Sequence, residues 1–78
     1  MDALDEALQR SRLRRRLPDP EGRRMLRERA GLSQGDVARA LKVRTPTVCR
    51  WENGVRDPSD EYLPAYLAIL ERLTREVV

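Results

Sequence analysis

The most constraining feature of the sequence is a pair of short helical patterns within residues 33–54, separated by a turn of about two residues. Ser33 followed three residues later by Asp36 predicts a capping box that opens the first of them. Thr45 followed by Pro46 is typical of the start of the second, because proline is tolerated in the first turn of a helix. Helices this short are unstable alone. They are therefore expected to pack against each other and against further helices.

Two longer helical patterns precede the pair. One is predicted over residues 2–16, and the next begins at Pro20, with Asp19 as its N-cap. This second helix is expected to end near Ala30, because Gly31 supplies the left-handed residue that commonly follows a helix.

A last pattern follows the turn at Asp57-Pro58, where Ser59 is expected to cap a fifth segment. Pro64 lacks the N–H that would bond back along the helix, so the regular part should start nearer Leu63. The predicted core consists of apolar residues at helical spacing in the last three segments: Val37, Ala38, Leu41, Val48, Trp51, Leu63, Leu67 and Leu70. Tyr66, Leu73 and Val77 follow the same spacing, and Leu73 and Val77 fit either the core or a dimer contact. We therefore predict an all-α fold, a compact bundle of about five helices, with an N-terminal basic amphipathic helix or arm (1–19) and a main domain (20–78).

Composition excludes several classes of function. The 78 residues suffice for one core only. Cys49 is the only cysteine and histidine is absent, which removes an internal disulfide, most zinc sites and the commonest general base. No apolar run approaches a membrane span, and the N-terminus lacks a signal pattern. We expect a cytoplasmic protein that is not an enzyme and has no cofactor, metal, membrane partner or small-molecule ligand.

Charge is distributed unevenly along the chain. Residues 1–8 carry three acids, residues 9–50 carry thirteen bases against four acids, and residues 51–78 carry three bases against six acids. A basic block between acidic ends indicates one positive surface, which is typical of a nucleic-acid binder. The dense run from Arg10 to Arg16 fits a DNA-touching arm and an ordinary charged helix face equally well.

The second short helix is amphipathic in a way that suits DNA. At about 100° per residue, the apolar Val48 and Trp51 face one way. The opposite side holds Thr45, Pro46, Cys49, Arg50 and Asn53. A helix that enters the negatively charged major groove needs such a face, with hydrogen-bonding groups and no carboxylate. Thr47 within this helix, Arg44 before it and Arg56 after it are further DNA-binding candidates.

Residues 25–70 resemble the helix-turn-helix domain of phage repressors, Cro proteins and many small bacterial regulators, the XRE-like type. The resemblance is carried by Leu26-Arg27, Gly31-Leu32-Ser33-Gln34, Val37-Ala38, Thr47-Val48-Cys49-Arg50-Trp51-Glu52-Asn53-Gly54 and Pro58-Ser59. It implies a lambda-repressor-like fold in which the segment 45–53 is the recognition helix.

The resemblance also implies roles for single residues. Gln34 matches a position that bonds a DNA phosphate and braces the start of the recognition helix. Thr45, Pro46 and Arg50 match positions that reach base edges, and Asn53 matches one that holds a phosphate. Arg27 and Glu52 match a buried ion pair that ties the second helix to the fourth.

The chain departs from the family pattern at three positions. Arg44 stands where a small capping residue is usual, so we expect Thr45 to cap instead and the helix to begin one residue late. Pro46 cannot donate a hydrogen bond, so any contact it makes with a base is apolar. Arg23 lies where relatives bury an aliphatic residue, a gap that the N-terminal helix is expected to cover.

Two functional hypotheses follow. The first is a sequence-specific transcriptional regulator, a repressor that binds double-stranded DNA as a homodimer, with recognition helices one DNA turn (~34 Å) apart on a two-fold operator. The second is an antitoxin or adaptor of the same fold whose terminal helices bind a partner protein. Both the N-terminal and the C-terminal helix remain candidates for the dimer interface.

Overall fold

Five α-helices make up the computed structural model of the protein, which describes residues 2–77. They are α1 (Ala3–Arg16), α2 (Pro20–Arg29), α3 (Gln34–Leu41), α4 (Thr45–Glu52) and α5 (Leu63–Glu76). No strand occurs in this part of the chain. The predicted all-α bundle of five helices is confirmed.

Side-chain hydrogen bonds cap the starts of α1, α2 and α3. The Asp19 carboxylate accepts a hydrogen bond from the Gly22 N–H at 2.8 Å, which caps α2. Ser33 and Asp36 form the predicted capping box of α3, with reciprocal bonds of 3.0 and 2.7 Å. Gly31, after α2, has a φ of +76°, the left-handed conformation that glycine adopts without strain.

Two predicted caps are wrong. Arg44, and not Thr45, occupies the N-cap position of α4, and it makes no side-chain cap bond. Thr45 is already helical because Pro46 fits the first turn, so the helix does not begin late. Ser59 does not cap α5: its carbonyl accepts from Tyr62 and from Leu63 in a preceding turn, and the helix starts at Leu63, as Pro64 predicts.

The turn between α3 and α4 is tight. Lys42 ends α3 in the left-handed region, with a φ of +58°. The Val43 N–H then donates to the Ala38 carbonyl at 3.0 Å, and the Val43 side chain packs against the core while half-buried. The tight turn brings α3 and α4 into direct contact. Helix α4 also contacts α2, and it packs against both helices through its inner side.

The core surrounds Trp51, which is 2% exposed. Its ring lies 4.7 Å from that of Tyr66 and 6.3 Å from that of Tyr62, measured between centroids. The other buried apolar residues are Val37, Ala38, Val48, Leu63, Leu67, Leu70 and Leu73. Of the predicted core residues, only Leu41 is half-buried instead of buried. Burial raises the pKa of Tyr66 to about 12, so its hydroxyl is protonated at neutral pH.

Helix α1 packs against α5 and contributes no fully buried residue. Leu13 and Leu17 are half-buried on its inner side. Exposed ion pairs flank this contact, from Arg14 to Asp60 at 2.6 Å and from Arg16 to Glu71 at 2.7 Å. Within residues 2–77, no helix combines the length and the apolar character that a membrane crossing requires.

Candidate nucleic-acid interface

Helix α4 has one side in the core and the other in solvent. Val48, Trp51 and Glu52 are buried on its inner side. The outer side exposes four of the predicted DNA-contacting residues, namely Thr45, Pro46, Arg50 and Asn53. Their common exposure follows from the helical period and from the packing of α3 behind α4. This outer face carries no carboxylate.

Four cations lie on and beside this face. Lys42 and Arg44 lie in the turn before α4, Arg50 on the helix and Arg56 in the loop after it, and all four are exposed. None of them forms an ion pair within residues 2–77. Seven of the twelve other arginines do form one. Their charge is therefore available to a negatively charged ligand. We call these four residues the cationic rim of α4.

The last residue of α4 is fixed from behind by a buried ion pair. Arg27 Nε lies 2.6 Å from Glu52 Oε2, and Arg27 Nη2 lies 2.8 Å from Oε1, a bidentate arrangement. The Glu52 side chain is 2% exposed and that of Arg27 is 11% exposed. The structure thus brings together the two residues that the family resemblance pairs, and it ties α2 to α4 through them.

Gln34 belongs to the same network. Its Nε2 donates to Glu52 Oε1 at 3.0 Å. The resemblance had implied that Gln34 braces the start of α4, but this bond is made to the last residue of the helix. The physical reason is that a buried carboxylate needs several donors. Gln34 remains half-buried at the first position of α3, beside the outer face of α4.

These bonds determine the charge of Glu52. Burial raises the pKa of its carboxyl group, but the hydrogen bonds from Arg27 and Gln34 outweigh that effect and hold the pKa below its usual range. The pKa of Arg27 is raised, chiefly by its hydrogen bond to Glu52. Both groups are therefore charged at neutral pH, which makes the pair an ionic clamp.

A pH dependence follows from the lowered pKa. The clamp stabilises the fold above the pKa of an unfolded glutamate, about 4.3, and this stabilisation is lost as the pH falls through the lower pKa of the folded state. Glu52→Gln keeps the shape and removes the charge, so the wild type should exceed it in stability most at neutral pH. The gap should narrow below about pH 4, measured by urea unfolding at each pH. A constant gap would contradict an ionised Glu52.

Arg23 is a buried residue whose role the sequence did not reveal. It is 4% exposed, and its guanidinium donates to the carbonyls of Pro18 and Trp51 at 2.8 and 2.9 Å and to Asp57 at 3.0 Å. The expectation that the N-terminal helix covers a gap here is corrected, because Arg23 fills the space itself. Its bond to the Trp51 carbonyl satisfies an acceptor at the end of α4.

The remaining candidates lie at the edge of the outer face. Thr47 and Cys49 are half-buried. The Asn53 side-chain amide donates to Cys49 Sγ at 3.3 Å, which orients Asn53 at the end of the helix. Thr47 is thus the least accessible of the predicted contact residues on α4.

Part of the basic block of the sequence is paired with acids within the protein. Arg10 and Arg14 pair with Asp60, and Arg16 pairs with Glu71. The acids that follow Trp51 along the chain therefore neutralise much of the basic block in space. What remains near α4 is the cationic rim.

Two short helices joined by a tight turn, the second exposing a polar face without acids, define a helix-turn-helix protein. A family model described as "Helix-turn-helix domain" matches residues 24–78, and the chain belongs to this family. No curated protein and no solved structure matches the chain significantly.

Proposed function

We propose that the protein is a sequence-specific DNA-binding regulator of the phage repressor and Cro type. The single observation that carries the proposal is the outer face of α4, which is polar, exposed, free of carboxylates and bordered by the cationic rim. A helix of this character fits the major groove, where base edges offer acceptors and phosphates line both sides.

The exposure and chemistry of each side chain support a division of roles. Arg50, at the centre of the outer face, reads a base edge, while Thr45 and Pro46 approach the bases at the amino end of α4. Phosphate contacts are assigned to the residues at the two ends of the helix and on α3: Gln34, Arg44, Thr47, Asn53 and Arg56. Phosphate contacts position the helix, and base contacts give it sequence preference.

The regulator is proposed to act as a homodimer on a two-fold operator, repressing by occupying a promoter. A single α4 of eight residues can read only a few base pairs, and two copies double the length of the site.

Selection of bound sequences from a random duplex library tests the proposal. We expect an enriched site with two inverted half-sites, their centres separated by about one DNA turn. Enrichment of a single half-site would contradict the dimeric mode. Failure to enrich any sequence above background at moderate salt would contradict sequence-specific recognition.

Arg50→Ala should show whether Arg50 is the residue that contacts a base edge. We expect it to cost about 1–3 kcal/mol of binding at the selected operator and to relax the preference at one base pair in each half-site. Arg56→Ala, a matched removal of an exposed and unpaired arginine, should weaken binding to operator and scrambled DNA alike. Titrations of both variants on both DNAs provide the measurement. Equal losses on the two DNAs for Arg50→Ala would show that Arg50 contacts phosphate.

A further inference from the structure

The first three turns of α1 bury no side chain, and the ion pair of Arg10 with Asp60, 3.5 Å long, joins them to the rest of the protein. Every residue from Asp2 to Arg12 is exposed, including Leu4 at 67% and Leu8 at 39%. A helical segment of this length without a packed face is marginal in water, and Leu4 and Leu8, one turn apart, present a small apolar patch to solvent. A partner surface would explain both features.

The two sides of α1 are distinct. Leu13 and Leu17 face the body, and Arg14 and Arg16 flank them with ion pairs to Asp60 and Glu71. At about 100° per residue, the opposite side holds Leu4, Leu8, Ser11 and Arg15, all of them exposed. We call these four residues the outer stripe of α1.

Charge on the border of the outer stripe points to the identity of the partner. Asp5 and Arg12 lie on the same flank of the stripe, seven residues apart, and neither forms an ion pair within residues 2–77. In an antiparallel pair of identical helices related by a two-fold axis, the same flanks meet with their directions reversed. Asp5 then faces Arg12 of a second copy, and Arg12 faces its Asp5.

The same register brings the leucines together. The midpoint between positions 5 and 12 falls beside Leu8, so the two Leu8 side chains meet near the two-fold axis. Leu4 packs outside them, over the aliphatic stem of Arg12 of the other copy. In a parallel pair related by a two-fold axis, opposite flanks meet, so Asp5 and Arg12 would not face each other. Only the antiparallel arrangement pairs the two charges, and they therefore favour it.

We infer that the outer stripe of α1 is a self-association surface, on which a second copy of this chain binds in antiparallel orientation. The inference deepens the proposed homodimer by naming its interface, and it rests on the proposed function only for its relation to DNA. Three helical turns per subunit make a small interface, so the dimer forms at micromolar concentration and is completed on a two-fold site.

Sedimentation equilibrium of the full chain tests the surface. Wild type should show a concentration-dependent dimer, and Leu8→Glu should raise its dissociation constant by about tenfold or more. Gln9→Glu is the matched control, since it adds the same charge at an exposed neighbour outside the stripe and should leave the dimer intact. Circular dichroism confirms that each variant is folded. A wild type that stays monomeric, or a dimer that Leu8→Glu does not weaken, would overturn the inference.

A charge exchange between copies tests the orientation. Asp5→Lys and Arg12→Asp should each weaken self-association, because each brings like charges together twice per dimer. An equimolar mixture of the two variants should regain it, since both cross-helix pairs are then again of opposite sign. Rescue that requires both chains excludes an effect on the helix itself, and absence of rescue would overturn the antiparallel register.

DNA binding separates this inference from the proposed function. Leu8→Glu should still bind a single half-site, through an unaltered α4, and should lose preference for the paired site. If the wild type dimerises through α1 but selects no DNA sequence, the proposed function is contradicted and the inferred interface is not. If Leu8→Glu binds the paired site as tightly as wild type does, the outer stripe has no role in DNA binding.

Discussion

Replacing Glu52 by alanine is expected to lower the free energy of unfolding by about 3 kcal/mol. Glu52 is the acceptor in three hydrogen bonds, two from Arg27 and one from Gln34. Its removal leaves the largely buried guanidinium of Arg27 with only the exposed carboxylate of Glu28, 3.8 Å away, as a counter-charge. Breaking a buried pair costs far more than the intact pair contributes. The ionic link between α2 and the end of α4 is lost with it, while the bond from Arg23 to the Trp51 carbonyl remains.

The measurement is equilibrium unfolding in urea at neutral pH. Glu71→Ala is the matched control, because it removes a carboxylate that also pairs with an arginine but lies exposed, and exposed pairs contribute little. We expect its stability to stay close to that of wild type. A loss for Glu52→Ala no greater than that of the control would contradict the buried clamp.

The affinity for DNA should fall steeply as salt rises. If Lys42, Arg44 and Arg56 of the cationic rim each neutralise one phosphate while Arg50 reads a base, the slope of log K against log salt is about −2.7 per subunit and about −5 for a dimer. Raising the salt from about 50 to 200 mM then weakens dimer binding by about 10³-fold. Arginines held in internal ion pairs do not add to this slope, because their counter-charge is already within the protein.

Variants show which cations contribute. Arg44→Gln and Arg56→Gln should each reduce the slope by about one per subunit. Arg16→Gln should leave it unchanged, because Arg16 pairs with Glu71. A slope near zero in the wild type would show that the cationic rim does not touch phosphate. Equal slopes for Arg16→Gln and Arg44→Gln would show that internal pairing does not withhold charge from DNA.

Features that depend on residues close together in sequence could be predicted. The capping box needs only Ser33 and Asp36, three residues apart, and the inward face of Trp51 needs only the helical period. The start of α5 near Leu63 follows from the covalent structure of Pro64. The two caps that were wrong, at Thr45 and Ser59, were predicted from residue preference, which the surrounding turn geometry overrode.

Features that depend on distant residues were out of reach. The burial of Arg23 requires the Trp51 carbonyl and the Asp57 carboxylate, 28 and 34 residues away. The neutralisation of the basic run requires Asp60 and Glu71, which lie 46 and 55 residues from Arg14 and Arg16. Helical periodicity relates only residues that are close together in sequence, so it does not reveal contacts over such separations. The pairing of these basic residues could therefore not be predicted. The Arg27–Glu52 pair is equally distant, and only the family resemblance suggested it.

The two-sidedness of α4 has a consequence for how such a protein can change. The inner positions Val48, Trp51 and Glu52 hold the helix, while the exposed positions Thr45, Pro46 and Arg50 make no contribution to the buried core. Substitutions on the outer side are therefore nearly free of folding cost. New target preferences can be explored there, by mutation or by design, while the scaffold beneath stays constant.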